Sequence, residues 1–175
     1  MVKIVLVSDS HGDRACLKWL RETYADYDMF VHCGDSELSI EDMEGYICVM
    51  GNNDFLYGNS VPYSRVLQAD SHKIYVCHGH MDFLSYFHYG PMAKKAKGLG
   101  CDLVFFGHVH QVSDTTEDGV RLLNPGSIRH NRDMTDPSYM LVHIDGESVS
   151  VETKTYGTPR KKGWLDKLIE WLMKL

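Results

Sequence analysis

Aspartate, asparagine and histidine recur in this chain at one kind of position. Asp9 and His11 follow the apolar run 2–7, Asp35 follows 29–33, and Asn52 follows 46–50. His78 follows 73–77, and His108 and His110 follow the run that begins at Leu103. A glycine stands beside or just after each cluster, which lets the backbone turn sharply. Short runs rich in β-branched and aromatic residues read as buried strands. α/β folds build their sites at the carboxyl edge of such strands. Singly, each residue has a plain structural reading, since Asp before a turn is good turn chemistry. Together, seven nitrogen and oxygen donors at one edge would repel one another or sit desolvated unless cations join them.

The donor set contains no thiolate, which disfavours structural zinc and points to a mixed nitrogen and oxygen site. Seven donors exceed the needs of one tetrahedral ion. They suit two ions that share a bridging carboxylate and keep open positions. In Gly107-His108-Val109-His110, histidines two apart on a turning backbone can reach neighbouring ions about 3.5–4 Å apart.

Strands and helices in alternation must position that edge. Leu17, Leu20 and Tyr24 share one face of an expected helix over 15–24, and a second helix is expected over 91–99. Runs 65–70 and 73–77 read as a hairpin. Asp118-Gly119 and Asp145-Gly146 are hairpin-turn dipeptides between alternating runs. Antiparallel strands are therefore expected over 112–116, 120–123, 139–144 and 148–155. The pattern predicts a mixed α/β layered fold with sheet packed on sheet.

Residues 1–156 read as one domain, and 157–175 as a linker and a C-terminal amphipathic helix. Trp164, Leu165, Leu168, Ile169, Trp171 and Leu172 form its broad apolar arc. Such an arc is expected to dock on its own domain or on a second subunit as a homodimer. Contact with a membrane surface, helped by Arg160, Lys161 and Lys162, is the lesser alternative.

A chain of 175 residues can bury a sizeable core, and its net charge of −6 argues against a stable nucleic-acid partner. The five cysteines form no Cys-x-x-Cys pair, the start MVKIVLVSDS lacks a signal core, and no window is apolar enough to span a membrane. Reduced thiols in a cytoplasmic protein are the expectation.

In order, Asp9-Ser10-His11, Gly34-Asp35, Gly51-Asn52-Asn53-Asp54, His78-Gly79-His80 and Gly107-His108-Val109-His110 resemble the motifs of the calcineurin-like metallophosphoesterases. The resemblance is strongest to their short bacterial and archaeal phosphodiesterase branch. Leu123-Asn124-Pro125-Gly126-Ser127 is similar to a loop of that branch. The resemblance implies a four-layer αββα sandwich of two mixed sheets. It implies one metal on Asp9, His11, Asp35 and His110, and another on Asp35, Asn52, His78 and His108, with Asp35 bridging. The ions would be divalent, manganese first, with iron, zinc, nickel or cobalt as alternatives. The reaction implied is hydrolysis of a small phosphoester, most simply a phosphodiester, with a hydroxide bridging the metals as nucleophile.

One position departs from the family pattern. Asn53 stands where many members carry a histidine that protonates the leaving oxygen, and an amide cannot supply that proton. General acid catalysis typically contributes about 10²–10⁴-fold, most for poor leaving groups. Activated diesters should therefore react best and alkyl monoesters poorly. His80 is the candidate replacement acid and a candidate substrate contact, with a role beside the ligand His78 as its alternative. Asn52 and Arg129 are further candidate substrate contacts, and Arg132 a weaker one. A second reading is a non-catalytic, metal-supported protein-binding scaffold, since the same fold serves eukaryotic trafficking with a compromised metal site. Here all seven ligand positions are filled, which favours the enzyme.

Overall fold

Alternation along the first strand sets the layers. Ile4 and Leu6 point into an apolar cluster with Ile74, Val76, Phe105 and Leu123 of the opposite sheet. Val5 and Val7 point the other way, against Cys16, Leu17 and Leu20 of the first helix. The structure is a computed structural model that describes residues 1–82 and 88–157. Its elements run β1 (Val2–Val7), α1 (Arg14–Thr23), β2 (Met29–His32), β3 (Ile47–Cys48), β4 (Ser64–Ala69), β5 (His72–Cys77) and α2 (Gly90–Gly98). They continue with β6 (Leu103–Phe105), β7 (Val112–Glu117), β8 (Val120–Pro125), β9 (Ser138–Asp145) and β10 (Ser148–Thr155). The expected C-terminal helix lies outside the described residues.

Two five-stranded sheets form, ordered β10-β9-β1-β2-β3 and β4-β5-β6-β8-β7. Each mixes directions: β1 runs parallel to β2 and antiparallel to β9, while β6 runs parallel to β5 and β8. α1 covers the outer face of the first sheet, its start capped by the Asp13 carboxylate, which accepts from the Cys16 N–H at 3.1 Å. α2 covers the outer face of the second through Met92, Ala93 and Ala96, packed on Tyr75, Cys77 and Phe106. The order is thus helix, sheet, sheet, helix. Burying each of the larger core side chains contributes about 1.5–3 kcal/mol, and the thickest apolar layer lies between the sheets.

The strands of the last third are antiparallel within their hairpins but do not share a sheet. β7-β8 joins the second sheet, with β8 parallel to β6, whereas β9-β10 returns to the first sheet beside β1. All five cysteines are buried and free. Among the described residues no helix is long and apolar enough to cross a membrane.

Candidate metal centre

All seven side chains lie at one rim where the two sheets meet. β1, β2 and β3 bring Asp9, His11, Asp35 and Asn52 from the first sheet, and β5 and β6 bring His78, His108 and His110 from the second. The turns that present them are not relaxed. Asp9, His11, Asp35, His108 and His110 all have left-handed backbone, with φ of 54°, 42°, 54°, 70° and 54°. Non-glycine residues enter this region rarely, at a cost of about 1–3 kcal/mol each, and such outliers gather at functional sites. Two glycines make the approach possible. A Cβ at Gly51 would drive into the Asp35 carboxylate, and one at Gly107 into the Ser8 hydroxyl, with Asp9 Oδ2 only 2.8 Å away.

The imidazoles are oriented from behind. His78 Nδ1 donates to the Cys33 carbonyl at 2.7 Å, and His110 Nδ1 to the His130 carbonyl at 2.9 Å. His11 Nδ1 meets Glu37 Oε1 at 2.7 Å. Ligating histidines are held in this way, the outer N–H on a carbonyl or carboxylate and the inner nitrogen free to bind. The inner Nε2 atoms of His11 and His110 lie 3.1 Å apart. His78 Nε2 lies 3.5 Å from Asp35 Oδ2 and 3.2 Å from Asn52 Oδ1. Lone pairs at these separations repel unless positive charge stands between them.

Asp9 is the hub. Its Oδ2 accepts from the Ser8 hydroxyl at 2.6 Å and the His108 N–H at 3.1 Å. Its Oδ1 is buried with no hydrogen-bond partner among the described residues, 3.1 Å from Nε2 of His110 and 4.0 Å from Nε2 of both His11 and His78. Two groups of donors, Asp9-His11-His110 and Asp9-Asp35-His78, each lie within 4.8 Å. The carboxylate common to both is Asp9; Asp35 sits in one. His108 joins through its ring, 5.1 Å from that of His78.

The electrostatics agree. Burial raises the Asp35 carboxyl, but His78 and the Asn53 donors outweigh it and hold the group well below the usual range. Burial likewise opposes ionisation of Asp9, and His110 and His78 overcome it. His78 is pulled down by burial yet raised overall by Asp35 and Asp9. Burial and the neighbouring His78 push His108 down to about 4. The point between the two aspartates thus favours positive charge, whatever carries it. The orphaned Asp9 oxygen, the backed imidazoles and the all-nitrogen-and-oxygen donor set fit divalent cations.

Several contributors to this rim do not stand out in the sequence. Asp54 lies 2% exposed behind the centre. Its Oδ2 accepts from the N–H of Asp35 and Gly51, at 2.7 and 2.8 Å. Its Oδ1 accepts from the Glu37 N–H at 2.8 Å and the Ser36 hydroxyl at 3.0 Å. His32 is fully buried, accepting from the Gly34 N–H at 3.2 Å through Nδ1 and reaching the Ser10 hydroxyl at 3.0 Å through Nε2. Burial pushes its pKa down to about 4. Unfolded, the ring binds its proton near pH 6.5, so the unfolded state holds more protons between about 4 and 6.5 and stability falls as pH falls through that window. We expect up to about 3 kcal/mol of stability to be lost there. His32→Gln should flatten the slope, as read from urea midpoints between pH 7 and pH 4.5.

Asn53 does not face the rim as an acid would. Its backbone and side-chain N–H groups donate to the two Asp35 oxygens at 2.8 and 2.7 Å, clamping that carboxylate. His80 stands beside the ligands, its ring 5.3 Å from His78, with Nδ1 buried and unpartnered among the described residues. Arg129 points to a separate hollow bordered by Ile128, His130, Pro137 and Tyr156, where its Nη1 lies 3.9 Å from Asp13 Oδ2. The backbone N–H of Arg132 donates to the His110 carbonyl at 2.9 Å.

Two mixed sheets flanked by helices, with this rim between them, define a class. The chain belongs to the calcineurin-like phosphoesterase superfamily, whose domain model matches residues 2–147. Within it, the chain is 33% identical over 153 residues to the probable metallophosphoesterase YsnB of Bacillus subtilis, covering 86% of this chain and 89% of that protein. A crystal structure of a conserved uncharacterized protein, a predicted phosphoesterase from Streptococcus pneumoniae, superposes with a TM-score of 0.80 at 33% identity. That match covers 88% of this chain and 89% of the other. Vacuolar Protein Sorting 29 from Cryptosporidium parvum shares the fold, with a TM-score of 0.68 at 19% identity over 90% of this chain and 98% of that one.

Proposed function

We propose that this protein is a phosphodiesterase that works with two divalent cations, manganese foremost. One observation carries the reading: Asp9 Oδ1 is buried with no hydrogen-bond partner among the described residues, and Asp9 belongs to both three-donor groups. Asp9, His11 and His110 would hold one ion and Asp35, Asn52, His78 and His108 the other, with the Asp9 carboxylate, common to both donor groups, close to each. When bound, such a pair acidifies a shared water and neutralises phosphoryl oxygens. The chain's own residues do the rest. Asn53 fixes the Asp35 carboxylate, Glu37 and two backbone carbonyls fix three of the imidazoles, and His80, its ring 5.3 Å from that of His78, is the side chain offered to protonate the leaving oxygen. With an amide at position 53, the rate depends heavily on the leaving group.

The test compares the Mn²⁺-loaded protein on bis(p-nitrophenyl) phosphate and on glycerol phosphate, with metal content measured in parallel. Turnover of the diester should exceed that of the alkyl monoester by about 10²-fold or more. Equal turnover of the two would overturn diester selectivity. Stoichiometric metal with no turnover of either would favour the non-catalytic scaffold, a reading that the fold shared with Vacuolar Protein Sorting 29 allows.

A further inference from the structure

Beside the rim, away from the hollow at Arg129, lies a cleft of about 420 Å³ bordered by Met50, Gly51, Asn52, Phe55, Tyr63 and His80. Its size falls within the range of about 300–1,000 Å³ typical of small-molecule sites. The outer wall is apolar yet left in water: Phe55 is 84% exposed and Tyr63 56%. Leu56 and Met81, next in sequence to the lining residues Phe55 and His80, are also largely exposed. Single exposed apolar residues are ordinary, but several around one mouth mark a binding surface.

The rings step inward from that mouth. Tyr63 lies 5.9 Å from His80, centroid to centroid, and His80 lies 5.3 Å from His78 and 6.3 Å from His108. Asn52 belongs to both places, bordering the cleft while its Oδ1 sits 3.2 Å from His78 Nε2. A phosphoryl group held at the rim would therefore send one ester substituent along this row of rings. Among the described residues the cleft is bordered by no lysine or arginine, while the Asp54 carboxylate is part of its lining. A substituent carrying further phosphates would find no cation there, so polyphosphate chains do not suit it.

We infer that this cleft seats an uncharged planar ring of nucleobase size, stacked on Tyr63 and Phe55, and that the substrate is a phosphodiester bearing a nucleoside. The inference rests on the phosphoesterase reading and extends it to a substrate class. Stacking on aromatic faces accepts any base, since every base has a π-face. The walls therefore select a ring over an alkyl chain without choosing among bases.

Calorimetric titration of the Mn²⁺-loaded full chain tests this with three probes: adenosine 5′-monophosphate, ribose 5-phosphate and inorganic phosphate. The nucleotide should bind about tenfold or more tightly than ribose 5-phosphate. Tyr63→Ala combined with Phe55→Ala should bring the two affinities together, while Tyr63→Phe keeps them apart. Both side chains are exposed, and an unchanged Tm would confirm that the variants fold. Equal binding of nucleotide and ribose 5-phosphate by the unaltered protein would overturn the inference alone. So would a difference that survives the double substitution, which would leave the apolar mouth to a protein partner. Failure of all three probes to bind would remove the phosphoesterase reading, and this one with it.

Discussion

Asp54→Ala should destabilise the protein by more than about 3 kcal/mol and lower its affinity for divalent cations by about 10–100-fold or more. The carboxylate takes four hydrogen bonds at once, from the N–H groups of Asp35, Gly51 and Glu37 and from the Ser36 hydroxyl. Truncation leaves those donors buried and unmet, at about 1–3 kcal/mol each where water cannot replace the lost partner. It also loosens two turns that carry candidate ligands, because Asp54 bonds the N–H of both Asp35 and Gly51, leaving the two Asn53 donors to hold that segment on the Asp35 carboxylate. Asp54→Asn should rescue little, since one end of the amide donates where the site needs acceptors only. Urea unfolding in chelator measures the first effect, and metal content after dialysis the second. A loss under about 1 kcal/mol with normal metal content would show that Asp54 does not organise the rim.

Saturating Mn²⁺ should raise Tm by about 5–10 °C relative to chelated protein. Ligand at one hundred times its Kd stabilises a fold by about 2.7 kcal/mol, and for a chain of this size each kcal/mol moves Tm by about 2–4 °C. Strain explains why the effect should be strong here. Five of the seven candidate ligands hold left-handed backbone, and the inner nitrogens of His11 and His110 face each other at 3.1 Å. A cation turns those opposed lone pairs into ligands. His110→Ala should blunt the response, because it removes the imidazole nearest the unpartnered Asp9 oxygen. Differential scanning fluorimetry with Mn²⁺, Zn²⁺ and Co²⁺ against chelator checks this; a Tm indifferent to all three would exclude a cation site at the rim.

Strand ends were the most legible part of the sequence. The hydrophobic runs closing at Asp9, Asp35, His78 and His108 are strands that end within a few residues of those positions. Both helices sit one residue earlier than their apolar spacing suggests, because capping and the turn into the helix set the start. Where the two late hairpins would go was not legible. β7-β8 and β9-β10 have similar alternation, and only their partners, β6 and β1, separate them into different sheets. The candidate ligands stood out because their residue types are unusual at strand ends. Asp54, His32 and Glu37 did not, since their importance comes from backbone and side-chain groups brought close by folding. Asn53 was legible as a missing acid but not as the clamp on Asp35, a role visible only in the two bonds it donates.

The rim draws its donors from both sheets, four residues from one and three from the other. A cation seated there acts as a rivet across the seam. Force pulling the layers apart would meet that rivet directly, so a loaded molecule stretched in a single-molecule experiment should yield at a higher force than an empty one. The seat of chemistry would then double as the fastener of the sandwich.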